Sequence, residues 1–235
     1  MYVDDILIIG KKNEILDVKD QIKNIYKIKD MGEVDFVIDI KFEKQKNRYI
    51  LHQKGYIKEL IERYNLSNTK PVRNLKPVNE IKNRCKAFNE TSYRSIGNLL
   101  YLAVCTRPDI IFSVVRASRK SKNPTIEDWH NVKKIFRYLK GTLNYGIKFS
   151  NEKILRVFPD ADYAGDEETR KSTSGFVMMI GNSPTSWYSK LQHVVVTSTA
   201  ESKYISVSDC AKHSLWYMNI FKELNIQNKI CDYKY

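Results

Sequence analysis

Apolar residues change their period repeatedly along this 235-residue chain, and that alternation admits only folds in which sheets and helices are mixed. The first ten residues read as strand, turn and strand: Tyr2-Val3 runs in, Asp4-Asp5 form the tip, and Ile6 to Ile9 run out to Gly10. From Asn13 to Tyr26, Ile15, Val18, Ile22, Ile25 and Tyr26 are spaced three, four, three and one, a helical stripe among lysines. Val34 to Phe42 alternates once more, and the pattern resumes at Arg48-Tyr49-Ile50-Leu51, which predicts a second hairpin. Tyr56, Ile57, Leu60, Ile61 and Tyr64 predict a helix ended by Asn65. Residues 67–91, with Pro71, Pro77 and no periodicity, read as a linker.

Helices are expected at 92–105, 108–120 and 125–140, the second opening on Pro108 and the third on Thr125 ahead of Glu127-Asp128, with Gly141 as the stop. Strands follow at 145–149, 154–159, Phe176 to Ile180, Thr185 to Tyr188 and Val194 to Thr197. Thr199 is expected to cap a long helix from Ala200 to Leu224, and Ile230-Cys231-Asp232 begins one more strand.

Charge is distributed more unevenly than the total suggests. Formal net charge is +13, yet residues 151–235 hold 10 basic and 10 acidic side chains, so the whole excess lies in residues 1–150, with 30 basic against 17 acidic. A basic surface of that size is expected to bind a polyanion with steep salt dependence, because phosphate neutralisation releases condensed counterions. The plainer alternative is a lysine-rich face that only solvates the protein. The helical block contributes Arg107, Arg116, Arg119, Lys120, Lys133, Lys134 and Arg137 as candidate nucleic-acid contacts.

Cys85, Cys105, Cys210 and Cys231 form no Cys-x-x-Cys pair, which suggests neither a zinc site nor a disulfide framework and favours a reducing compartment. No apolar run approaches a membrane span, and the start lacks the layout of a signal peptide, so an intracellular, non-secreted protein is expected. His52, His130, His193 and His213 share no metal-ligand spacing, and Trp129, Trp187 and Trp216 each fall within an expected element, where packing is their natural role.

Asp4 and Asp5 invite a chemical reading. Two carboxylates at a hairpin tip repel each other unless a cation or base neutralises them, and oxygen-only ligands suit magnesium; an ordinary exposed turn is the alternative. Tyr2-Val3-Asp4-Asp5 resembles the active-site hairpin of reverse transcriptases. Collinear segments extend the likeness to copia-type (Ty1/copia) retrotransposon Pol proteins over nearly the whole chain. They are Asp30 to Phe36, Arg48 to Ile57, Tyr93 to Leu102, Cys105 to Ile110 and Arg137 to Thr142, then Asp160-Ala161-Asp162-Tyr163-Ala164-Gly165-Asp166, Lys171 to Gly175 and Ser198-Thr199-Ala200-Glu201.

That resemblance implies an α/β (α+β) chain in four parts: a reverse transcriptase palm end, primer-grip-like hairpin and thumb start at 1–66, the linker at 67–91, a helical connection region at 92–150, and a partial ribonuclease H-like mixed sheet with a long helix at 151–235. It implies two-metal magnesium chemistry on an RNA·DNA hybrid or duplex, with Asp4 and Asp5 as polymerase ligands and Asp160, Glu201 and Asp232 as ribonuclease H ligands. Asp162 and Asp166 are expected to be loop acids.

Three departures bear on activity. The family's Ser-Thr-x-Glu-x-Glu-Tyr reads Ser198-Thr199-Ala200-Glu201-Ser202-Lys203-Tyr204 here, so the helix ligand is either Glu201 or lost, since an ammonium at 203 would repel the cations. The glycine usual after the first hairpin is Asp39. The family's upstream polymerase acid and its last ribonuclease H elements have no counterpart in the 235 residues, so the isolated chain is expected to be catalytically incomplete unless the reading frame continues into the rest of a Pol polyprotein, in a cytoplasmic particle or the nucleus. A basic nucleic-acid-binding remnant and a non-functional translated fragment are the competing readings.

Overall fold

A computed structural model describes residues 6–45, 48–75, 93–149, 152, 154–225 and, for the backbone alone, 232–233. The chain divides into two units, residues 1–34 and 35–235. In the first, α1 (Lys12–Ile25) follows the expected stripe, but none of its residues is buried. The segment after it is held by Lys19, whose ammonium donates to both carboxylate oxygens of Asp30 at 2.9 and 3.0 Å, while the Gly32 amide donates to Oδ1 at 3.0 Å. Asp4 and Asp5 lie outside the described residues. Ile6 to Ile9 form no strand, contrary to expectation: a strand persists only when its backbone is paired, and these residues have no ladder partner among the described ones.

The second unit mixes two sheets with helices. The first sheet is antiparallel throughout, in the order β1 (Phe36–Val37), β2 (Ile40–Gln45), β3 (Arg48–His52), β4 (Ile147–Lys148). The alternation from Val34 to Phe42 predicted one strand. Instead the chain reverses at Ile38 and Asp39, both in the left-handed region (φ 47° and 58°), the pairing of conformations that makes a tight primed turn between antiparallel strands. Aspartate tolerates that region better than most residues, and the Tyr101 hydroxyl donates to the carbonyl of Ile38, the strained residue before it. At β4 the approach of the strands demands glycine: a Cβ on Gly146 would lie 2.5 Å from the Leu51 carbonyl oxygen.

α2 (Lys54–Arg63) ends as its sequence predicts. Asn65 takes φ 55°, its amide donates to Glu62, and the Leu66 amide donates to Ile61, a Schellman closure that also turns Leu66 into the core. α3 (Ser95–Cys105), a 3₁₀ turn (Pro108–Ile110), α4 (Ile111–Ser118) and α5 (Ile126–Gly141) then pack with α2 around Leu60, Leu99, Leu102, Ile110, Val114, Phe136 and Leu139. Thr125 caps α5 through a capping box: its hydroxyl accepts from the Asp128 amide at 3.2 Å and the Asp128 carboxylate accepts from the Thr125 amide at 2.9 Å.

The described part of the expected linker, 67–75, is not loose chain. Arg137 and Lys140 on α5 donate to the carbonyls of Ser67, Thr69 and Lys70, the Val72 amide donates to the Arg137 carbonyl, and Leu75 packs on the core. Lack of periodicity told only that the segment has no regular repeat, not that it lacks partners.

The second sheet has the order β7 (Ser183–Leu191), β6 (Thr173–Ile180), β5 (Leu155–Asp162), β8 (Asp232–Tyr233), antiparallel except for the parallel β5–β8 pair. α6 (Thr199–Glu223) lies between β7 and β8 in the chain and covers one face of the sheet. Of its five buried residues, Ser202, Ser206, Cys210 and Ser214 recur every four positions, a narrow seam of small side chains that lets the helix sit close on the strands, and Phe221 follows. The cap is Ser198, not Thr199, its hydroxyl accepting from the Glu201 amide at 3.1 Å. Val194 to Thr197 is not a strand: Val194 and Val195 are exposed and Val196 alone is buried, so the apolar run has no sheet neighbour to satisfy it.

The other face of this sheet meets the helices, with the Trp187 indole donating to the Ala103 carbonyl at 2.7 Å. His213 stacks near Phe176 and Tyr188, and His52 faces Glu43 at 3.3 Å.

Candidate functional site

β5 carries Asp160 to the sheet position opposite Gly175 of β6, and the Ser206 hydroxyl from α6 reaches the carbonyls of both residues, at 2.6 and 3.0 Å. The helix is therefore fixed in register against the strand that bears the acid. One turn earlier on that helix sits Lys203, and its ammonium lies 3.7 Å from Asp160 Oδ1. Glu201 is engaged elsewhere: its carboxylate accepts from the Thr197 amide at 2.9 Å and from the Thr197 hydroxyl at 3.3 Å, closing the helix start. The backbone of Asp232 is level with Arg156 on the neighbouring strand, four residues before Asp160 and so about 13 Å from it along the strand.

The structure thus brings Lys203 to Asp160 and brings neither Glu201 nor the Asp232 backbone. Among the described residues no three His, Cys, Asp or Glu side chains gather where one metal ion could bind them all. A single carboxylate with an ammonium beside it is a poor donor set for magnesium, because the lysine supplies the charge a cation would bring and repels a second one. Beside Asp160 an open groove of about 240 Å³ is lined by Phe112, Phe158, Asp162 and Ser189.

The candidate basic contacts are redistributed by the fold. Arg107 is not a surface cation. Its side chain is 1% exposed, Nε and Nη2 donate to the two oxygens of Asp109 at 2.9 and 2.7 Å, and Nη2 and Nη1 donate to the Thr142 hydroxyl and carbonyl at 2.6 and 3.3 Å. Tyr138 and Tyr145 flank the guanidinium at 5.7 and 5.6 Å. A buried cation must be paired, so this arginine is consumed in joining the 3₁₀ turn to the end of α5 and is corrected from binding residue to structural one.

Arg116, Arg119 and Lys120 face Glu167, Asp166 and Glu168 in the β5–β6 loop at 3.7, 3.2 and 2.8 Å. Burial pulls the Asp166 carboxyl up, but hydrogen bonds from the Thr169 amide and hydroxyl and from Arg119 outweigh it and hold the group below its ordinary value. The Glu168 contact pushes Lys120 above its ordinary value. Arg137 is bound to the Lys70 carbonyl through Nε, Lys133 lies 6.0 Å over the Trp129 ring, and Lys134 belongs to the same helix.

Exposed cations that the sequence argument passed over sit on the first sheet: Lys41 and Lys44 on β2, Arg48 on β3 and Lys148 on β4, with Lys44 lying 5.9 Å over the half-exposed Tyr49 ring. The signal was present as basic residues flanking a predicted hairpin, but strand β4 could not be assigned to that sheet from sequence. No helix among the described residues is long and apolar enough to cross a membrane.

Comparison with known proteins places the sequence in a family. The family described as reverse transcriptase (RNA-dependent DNA polymerase) matches residues 1–78. The retrovirus-related Pol polyprotein from transposon TNT 1-94 of Nicotiana tabacum is 35% identical over 97% of this chain and 18% of its own length. The corresponding polyprotein from transposon RE1 of Arabidopsis thaliana is 37% identical over 97% of this chain and 16% of its own. This chain therefore spans under a fifth of those relatives. An uncharacterized mitochondrial protein of Arabidopsis thaliana is similar end to end, 30% identical over 92% of each chain. No solved structure matches. On these grounds the chain belongs to the copia-type retrotransposon Pol family and carries part of its reverse transcriptase-like region.

Proposed function

We propose that this chain is a nucleic-acid-binding portion of a Pol protein that holds an RNA·DNA hybrid or duplex through the basic surface of residues 1–150 and does not cleave it at the ribonuclease H-like sheet. The observation that carries the second half is the Lys203 ammonium 3.7 Å from Asp160. The first half is supported by the confinement of the entire +13 excess to residues 1–150 and by the exposed cations of the first sheet. On this reading Asp160 keeps the strand position of an ancestral metal ligand while its neighbour on the helix has changed sign. Magnesium chemistry then has no place at Asp160, and no catalytic step is assigned to it.

A labelled RNA·DNA hybrid incubated with the full chain and magnesium tests the reading. The expected result is binding that weakens steeply with salt, without hydrolysis of the RNA strand. RNA cleavage that disappears in Asp160→Asn would overturn the non-catalytic half, and hybrid affinity indifferent to salt would overturn the binding half.

A further inference from the structure

The β5–β6 loop and the end of α4 form a row of three ion pairs in which the two partners are not equally committed. Asp166 is built into the loop: its side chain is 16% exposed, Oδ1 accepts from the Thr169 amide at 3.0 Å and hydroxyl at 2.9 Å, and Oδ2 accepts from Arg119 at 3.2 Å. Arg119 is fixed in turn by donating to the Thr173 hydroxyl at 3.0 Å. Glu167 and Glu168 differ. They are 64% and 76% exposed, and their described partners are Arg116 and Lys120, themselves 38% and 41% exposed. The inner pair anchors the loop, and the two outer pairs cover basic residues that solvent can still reach.

We propose that Glu167 and Glu168 are a displaceable internal stand-in for a nucleic-acid backbone, occupying Arg116 and Lys120 until a chain of phosphates competes for them. The proposal rests on the binding role argued above and adds its regulation. Exposed pairs of a carboxylate with a guanidinium or an ammonium are held weakly and are screened by salt. A phosphate backbone offers the same charge at successive positions and gains counterion release on binding, which a loop of the protein itself does not. Because Asp166 and Arg119 stay in place, the loop swings from an anchored end and need not unfold when the outer pairs part. The device costs affinity and selects for ligands with several phosphates, since one anion displaces only one of the two carboxylates.

The experiment is fluorescence anisotropy of a labelled RNA·DNA hybrid with the full chain across a salt series. Glu167→Gln/Glu168→Gln is expected to tighten binding roughly 3- to 10-fold, from two exposed pairs no longer broken, and to steepen the salt slope by up to about two phosphate contacts. Glu62→Gln/Glu223→Gln makes the same change in net charge away from the loop and is expected to give a smaller gain. Adding Arg116→Gln/Lys120→Gln to the loop variant is expected to abolish the gain. An unchanged affinity in the loop variant, an equal gain in the distant variant, or a gain that survives loss of Arg116 and Lys120 each overturns the proposal. If neither the wild type nor any variant binds the hybrid, the binding role itself fails and this inference falls with it; binding by the wild type without the loop effect removes this inference alone.

Discussion

Asp109→Ala tests what pairing the buried arginine contributes to the fold, and it also removes the acceptor of the Tyr138 hydroxyl at 2.9 Å. Arg107 is 1% exposed, so removing the carboxylate leaves a buried guanidinium with two of its hydrogen bonds unmade. Two charge-assisted bonds at about 1.5–3 kcal/mol each set a ceiling near 6 kcal/mol, and breaking a buried pair by deleting one partner costs about 3–5 kcal/mol. Asp109 itself is 29% exposed, so water can partly replace the lost carboxylate, and Thr142 keeps two contacts to the cation. The expected loss is therefore at the lower end, about 3 kcal/mol.

Urea unfolding followed by circular dichroism measures that loss directly, and for a unit of this size it corresponds to a drop in Tm of roughly 6–12 °C. Arg107→Met removes the cation together with its need for a partner and is expected to cost less than Asp109→Ala, while leaving hybrid affinity of the folded protein unchanged. A change below about 0.5 kcal/mol for Asp109→Ala, the range of ordinary surface substitutions, would refute the reasoning, as would Arg107→Met proving the more damaging of the two.

Three further outcomes are expected. Gly146→Ala places a methyl group 2.5 Å from the Leu51 carbonyl oxygen and should destabilise the second unit by about 1–3 kcal/mol, with faster amide exchange along β4, read by thermal melting and hydrogen exchange. Thr125→Ala removes the capping box of α5 and should cost about 0.5–2 kcal/mol, whereas Thr125→Ser should cost a fraction of that in the same urea titration. In alkali, burial, with Asp109 second, pushes the Tyr138 phenol up to about 12, and burial raises Tyr93, Tyr101 and Tyr188 as well. The unfolded chain releases these protons near pH 10, before the folded one does, so stability is complete below about pH 10 and falls as pH rises toward 12. Denaturation midpoints that stay flat from pH 9 to about 11.5 would contradict those shifts.

Local signals in the sequence were read well where one residue decides a local geometry. Asn65 ended α2 and Thr125 began α5 as the capping rules require, because both depend only on neighbours within four positions. Expectations failed where a distant partner decides. Ile6 to Ile9 and Val194 to Thr197 have the composition of strands but no ladder among the described residues, and Ile38-Asp39 turned an alternating run into two strands without a glycine to announce it. The candidate site divides the same way. Asp160 lies on its strand, as a strand-end acid suggests, but helical periodicity does not decide whether Glu201 or Lys203 faces it, and the burial of Arg107 and the pairing of Arg116, Arg119 and Lys120 depend on loops brought together from elsewhere. Charge can be counted in a sequence; which charges are already spent on one another cannot.

The pairing of β3 with β4 has a consequence for how the protein assembles. Ile50 opposite Lys148 and Leu51 opposite Ile147 join positions roughly a hundred residues apart, and the chain between them contains α2 to α5. Closing a flexible loop of that length costs about 4 kcal/mol in chain entropy, against a strand two residues long that returns few hydrogen bonds. The seal becomes affordable once the helices have packed and drawn Gly146 up to Leu51, so the expected order is helices first and edge strand last, with β4 amides protected later than those of α2 and α5 in refolding hydrogen exchange. On that order β4 acts as a latch whose closure reports that the helical core is complete.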